Sequence, residues 1–172
     1  MIKINRDEVH NVAKFFIQGG SWSTLYSGHY DGKDVVIKVQ DPGSLDKTNT
    51  SDDRFVQELE ILKLGLPGVV TCYGYGDDWD GERFIVLEKL SPSKTFGDLG
   101  ALQSSMQDVI VTSRQLYLRG FNWTWNINHL LFDEEGNTKL IDFNDDDAYS
   151  VKESFFTRDS SVNILNFIEK MC

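Results

Sequence analysis

Leu25-Tyr26-Ser27-Gly28-His29-Tyr30-Asp31-Gly32-Lys33-Asp34-Val35-Val36-Ile37-Lys38-Val39 decides how the chain is read. Residues 25–30 and 34–39 read as strands, and Asp31-Gly32-Lys33 between them is a turn triplet suited to a hairpin. The second strand is β-branched and apolar except for Lys38. An ammonium placed there either has an anionic partner, because an unpaired buried charge is costly, or reaches solvent along its own aliphatic stem. The sequence on either side of this hairpin shows which halves the chain is built from.

Downstream, the period changes. Phe55, Val56, Leu59, Ile61 and Leu62 lie close to helical spacing over residues 51–64. Thr50 or Ser51 can cap the start, Asp52 and Asp53 suit the positive end of the helix dipole, and Gly65 and Pro67 end it. Two strands are expected over 69–75 and 83–88, around a turn at Gly76-Asp77-Asp78-Trp79-Asp80-Gly81. Residues 91–101 read as a hinge, 104–118 as a helix broken by Gly120, and 130–132 with 138–143 as a second hairpin around Asp133-Glu134-Glu135-Gly136-Asn137. A last helix over 160–171 puts Val162, Leu165, Phe167 and Ile168 on an apolar face. The expectation is an α+β chain: a β-rich half with one helix, a hinge, and a helix-rich half. Ligands often bind where two such halves meet.

Composition narrows the function classes. The 172 residues are 40% hydrophobic and 12% aromatic, enough for a packed core in one domain, and no repeat or low-complexity tract interrupts them. Seventeen basic and 27 acidic side chains give a formal charge of −10. The basic residues are scattered, which argues against nucleic acid and against an anionic membrane as partners. Cys72 sits in an apolar run and Cys172 is the last residue, so no disulfide framework is expected and a reducing compartment fits. No apolar run approaches membrane-spanning length, and the first residues turn polar too early for a signal peptide. A cytoplasmic location is expected, or delivery into a host cytoplasm without a cleaved signal.

Four features are spaced as a phosphate-and-metal site requires. Gly19-Gly20-Ser21 lies in a small-residue loop, where backbone N–H groups can approach phosphate oxygens. Lys38 follows on its strand. Glu58, flanked by core residues on the next helix, can reach Lys38, whereas Glu60 better fits a solvated acid. Asp142 ends an apolar strand in Lys139-Leu140-Ile141-Asp142-Phe143-Asn144, where a carboxylate can hold Mg2+ or begin a turn. Each feature alone has an ordinary structural explanation; their order and spacing together are far more specific.

That order resembles the protein-kinase fold over nearly the whole chain. Residues 21–38 are similar to the kinase Gly-rich loop followed by the strand bearing the V-A-I-K lysine, here Lys38. Residues 55–64 resemble the αC helix with Glu58 as its ion-pair glutamate. Phe84-Ile85-Val86-Leu87-Glu88-Lys89-Leu90 resembles the gatekeeper strand and hinge, with Leu87 as gatekeeper and the backbone from Glu88 to Leu90 meeting adenine. Asp142-Phe143-Asn144 resembles D-F-G, and Asp159 onward looks like the start of αF. The resemblance implies a bilobal kinase-like domain. Its β-rich N-lobe with one αC-like helix and its hinge cover residues 1–90, and a truncated, mostly helical C-lobe covers 91–172. It also implies ATP and Mg2+ or Mn2+ as cofactors, with Gly20, Ser21, Lys38, Glu58, Leu87, Glu88 and Leu90 around the nucleotide.

The chain departs from the family where chemistry is done. The catalytic loop H-R-D-L-x-x-x-N aligns with Asn122-Trp123-Thr124-Trp125-Asn126-Ile127-Asn128-His129. Thr124 stands at the catalytic Asp and His129 at the metal-binding Asn. Losing a general base typically costs ~10²–10⁴ in rate, and Mg2+ prefers oxygen ligands to imidazole. Asp145, in the run Asp145-Asp146-Asp147, is the candidate substitute carboxylate. Gln18 and Ser23 replace two loop glycines, Asn144 replaces the D-F-G glycine, and A-P-E and the later substrate-platform helices are missing. The expectation is an ATP- and metal-binding pseudokinase acting through a protein partner. The alternatives are an active, rewired serine/threonine kinase of effector or phage type, and an interaction module that binds no nucleotide.

Overall fold

The computed structural model describes residues 1–14, 23–41, 50–91, 99–121 and 129–143. Over these it is an α+β structure with a six-stranded mixed sheet, a two-stranded sheet and two α-helices. It divides into two compact units. The first holds Met1–Gly65 and Val70–Lys89; the second holds Leu66–Val69 and the described residues from Leu90 onward.

The first unit carries β1 (Ile2–Lys3), β2 (His10–Lys14), β3 (Ser23–Tyr30), β4 (Lys33–Gln40), α1 (Thr50–Lys63), β5 (Cys72–Trp79) and β6 (Glu82–Glu88). Strand order is β1-β5-β6-β4-β3-β2, with β1 parallel to β5 and every other pair antiparallel. Two Asp-Gly turns set the registers. Asp31 and Gly32 take φ of 49° and 73°, so Tyr30 faces Lys33 directly. Asp80 and Gly81 take 54° and 89°, so Trp79 faces Glu82. Two consecutive left-handed residues match the natural twist of a hairpin.

Strand alternation then sorts the side chains. Val35, Ile37 and Val39 join Ile4, Val9, Trp79, Phe84 and Val86 in one core cluster. Lys38 faces the opposite side of the sheet, beside Ile85 in the register, where α1 supplies Glu58.

Two expectations for this unit are corrected. The strand expected over 69–75 begins only at Cys72 and continues to Trp79, through what was expected to be turn. Trp79 is the reason. It is buried, packs 5.3 Å from both the Tyr26 and Phe84 rings, and carries the Arg6 guanidinium 4.1 Å above its own ring. Asp77 and Asp78 are taken up by Lys3 at 3.0 Å and by the Arg6 N–H at 2.9 Å. Val69 instead bridges Leu140 in the second unit. The second correction is β1, which sequence reading did not anticipate; a strand ahead of the Gly19-Gly20 loop was expected without bounds, and β2 is found at His10–Lys14.

The second unit carries α2 (Leu99–Tyr117), β7 (Leu130–Phe132) and β8 (Thr138–Leu140). The helix starts earlier than its expected residue 104. It ends as the Gly120 signal implies: Gly120 has φ of 88°, its N–H donates to Tyr117 O at 2.9 Å, and Phe121 N–H donates to Leu116 O at 3.1 Å. This is the Schellman arrangement, which satisfies carbonyls a helix end would leave open. At the β7–β8 turn, Asp133 accepts from Asn137 N at 2.7 Å and Asn137 Nδ2 at 2.9 Å. Burial pushes the Asp133 carboxyl up, but these bonds and the charge of Lys139 outweigh it and hold it below the ordinary range.

Gly68 sits where the 66–69 segment meets α2. A Cβ there would lie inside the Thr112 side chain, while Gly68 O accepts from Leu140 N at 2.8 Å. Gly68→Ala is therefore expected to destabilise this unit by about 1–3 kcal/mol through overpacking. Chemical denaturation is the measurement, and Thr112→Ala in the same chain should recover part of the loss. No helix among the described residues is long and apolar enough to cross a membrane. The expected helix over 160–171 and most of the expected hinge, residues 92–98, lie outside the described residues.

Candidate functional site

Lys38 is on β4, an interior strand of the sheet, opposite Leu25 on β3 and Ile85 on β6. Its Nζ lies 2.9 Å from Glu58 Oε1, and the two side chains are 10% and 2% exposed. Period two turns Lys38 away from Val35, Ile37 and Val39. Helical spacing puts Glu58 on the same side of α1 as the buried Leu59, Ile61 and Leu62. Glu60 is exposed and pairs with Lys63 at 2.8 Å, as its position on the outer face dictates. A buried ammonium–carboxylate pair costs desolvation that its attraction only roughly repays, so it adds little net stability over an apolar pair. What it does provide is an oriented ammonium with three N–H donors fixed in direction.

Leu87, near the end of β6, is buried. Glu88 is tied to Thr71 at both ends: its N–H donates to Thr71 O at 2.9 Å, and its carboxylate accepts from Thr71 N at 2.6 Å. The Glu88 amide is thus engaged within the chain. Leu90 is half-buried and belongs to the second unit. Cys72 is half-buried, and burial pushes its thiol up to about 12 although Gly74 O accepts a bond from it at 3.4 Å. A thiol protonated at neutral pH is no nucleophile.

In the second unit, Asp142 follows β8 with φ of 64°, left-handed for a residue that has a Cβ. Such strain costs on the order of 1 kcal/mol or more and persists only where surrounding structure imposes it. The imposing structure is adjacent: Phe143 is fully buried, and Ile141 N–H donates to His129 O at 3.0 Å. His129 is itself buried. As a metal donor set, the Asp142 carboxylate suits a hard cation and the His129 imidazole does not. No group of three His, Cys, Asp or Glu side chains is gathered among the described residues. A divalent ion held by Asp142 would need most of its oxygens from a bound phosphate and water.

Structure thus brings Lys38 and Glu58 into contact, and places Leu87 and Glu88 on the same sheet. Asp142, His129 and Leu90 belong to the other unit. Gly20, Ser21, Thr124 and Asp145 lie outside the described residues. Sequence reading missed Thr71 as the anchor of Glu88. A polar residue entering a strand carries no signal for a partner that register alone brings opposite.

No protein-family model matches the chain. Over 140 residues, 72% of its length, it is 30% identical to a probable serine/threonine-protein kinase of Dictyostelium discoideum. It spans 10% of that relative's length. The chain is a distant homologue of a probable protein kinase.

Proposed function

We propose that the chain is a bilobal, kinase-like nucleotide-binding protein in which phosphoryl transfer is impaired and which acts through a protein partner. The observation that carries this reading is the buried Lys38–Glu58 pair between an interior strand and the helix that follows it. Kinases hold ATP phosphates with such a strand lysine, oriented by a helix glutamate. Lys38 would hold phosphate oxygens, and Leu87, Glu88 and Leu90 would border the base. Asp142 would hold Mg2+ or Mn2+, which when bound neutralises phosphate charge. Gly20 and Ser21 would approach the phosphates through their amides. Thr124, at the base position, carries a hydroxyl that accepts a proton poorly, His129 at the second metal position suits Mg2+ badly, and Asp145 is the candidate substitute carboxylate. The distant kinase homology supports the nucleotide and the transferase ancestry.

The reading is tested by thermal denaturation with ATP, with and without Mg2+ or Mn2+. Saturation at a hundred times the dissociation constant should add about 2.7 kcal/mol of stability. Asp142→Asn should remove the metal-dependent part, and no labelled phosphate should pass to protein. Transfer that disappears in Asp142→Asn would instead establish the rewired serine/threonine kinase. No shift with either metal would leave an interaction module on a kinase-like scaffold.

A further inference from the structure

Helix α1 meets the sheet at a second polar contact, about one turn before Glu58. Gln40 follows Lys38 on the same side of β4 and is 6% exposed. Continuing the register past Val39 and Phe84 sets it beside Arg83 on β6, and Arg83 Nε donates to Gln40 Oε1 at 2.8 Å. A buried amide oxygen needs such a donor. The bond also holds the guanidinium in place, with its carbon 4.5 Å from the centroid of the Phe55 ring on α1. Phe55 and Glu58 are three residues apart and share a side of the helix. Lys38 and Gln40 are two apart and share a side of the strand.

We propose that Arg83 is a positioning residue, which seats Phe55 and so sets the roll of α1 that aims the Lys38 ammonium. One ion pair fixes a helix at one point and leaves it free to turn about that point. A second contact a turn away removes that freedom. The two points lie about 4.5 Å apart along the helix axis and about 7 Å apart along the strand, a mismatch that long side chains absorb. An apolar residue at position 83 would fill the same space, but it would take this donor from Gln40 and the cationic face from Phe55. Neither Gln40 nor Arg83 is among the residues placed around the nucleotide, so their effect on a ligand runs through Lys38. That effect rests on the nucleotide reading above, whereas the positioning itself does not.

Acetylation of the full chain by acetic anhydride, read by mass spectrometry, measures how firmly Lys38 is held. Buried and paired with Glu58, Lys38 should react slowly. Arg83→Met keeps the aliphatic stem and should speed Lys38 labelling about fivefold, the change expected for loss of a part-buried cation–π contact. Phe55→Leu should do the same, while Phe55→Tyr, which keeps the ring, should label as the parent does. Phe84→Leu loosens the core on the other side of the sheet and should leave Lys38 unchanged, which separates positioning from stability. Lys139, 12% exposed in the second unit, is the internal reference. Parent-like labelling in both Arg83→Met and Phe55→Leu would overturn the inference. So would Phe84→Leu speeding Lys38 as much as Arg83→Met does. No nucleotide takes part in the labelling. Failure of ATP to stabilise the parent chain therefore ends the nucleotide reading alone, and unchanged labelling ends the positioning alone.

Discussion

Glu58→Ala is expected to destabilise the β-rich unit by about 3–5 kcal/mol, the usual cost of breaking a buried ion pair from one side. The size follows from burial. Lys38 sits on an interior strand with its side chain 10% exposed, and the carboxylate removed is the one 2.9 Å from its ammonium. Its neighbours on that face include the buried Ile85 and Leu87. Urea denaturation followed by tryptophan fluorescence is the measurement. The double change Lys38→Met with Glu58→Leu should recover most of the loss, because an apolar pair of similar volume needs no desolvation. That double variant also separates stability from function: a fold restored without ATP-dependent stabilisation means the charges are kept for a ligand. A single variant as stable as the parent would show that the pair is hydrated in solution.

Phe84→Ala is expected to cost the same unit about 3–5 kcal/mol. Phe84 is 0% exposed and packs tilted at 59° with its ring 5.3 Å from that of Trp79, which in turn lies 5.3 Å from Tyr26. Beneath the ring is Gly76, where any Cβ would run into Phe84 itself and the Ile4 carbonyl. Strand β5 thus comes close enough for the phenyl ring to replace the side chain Gly76 lacks. Alanine would leave a void walled by β-sheet backbone, which relaxes little. Phe84→Leu should lose clearly less, and near-ultraviolet circular dichroism should report the loosened Trp79 in both variants.

Where local chemistry sufficed, the sequence could be read. The Asp31-Gly32 pair marks the β3–β4 hairpin, and Gly120 marks the end of α2. Lys38 within apolar residues and Glu58 between core positions of α1 imply a shared side of the sheet. Trp79 shows where such reading fails. Asp77 and Asp78 look like turn because their partners, Lys3 and the Arg6 amide, lie 74 and 72 residues away along the chain. Strand β1 has only two residues and so no period. Strand β2 is mostly exposed, slips register between His10 and Ala13, and bends through Asn11 at a φ of 52°. The left-handed backbone of Asp142 was hidden for a similar reason, since it is imposed by the burial of Phe143 and no local motif announces it. The distant homology is to a probable protein kinase as a whole, and assigning a task to each residue rests on the experiments above.

The parallel pairing of Ile2 with Gly74, followed by the Ile4 amide on the Tyr75 carbonyl, has a consequence for how the chain matures. During synthesis these first residues emerge long before the strand that receives them. Ile4, which is almost wholly buried in the finished sheet, meanwhile has no place to go. Contacts of such sequence separation pay their closure entropy before they return anything. Residues 2–4 therefore act as a clasp fastened late, once β5 is there to receive them.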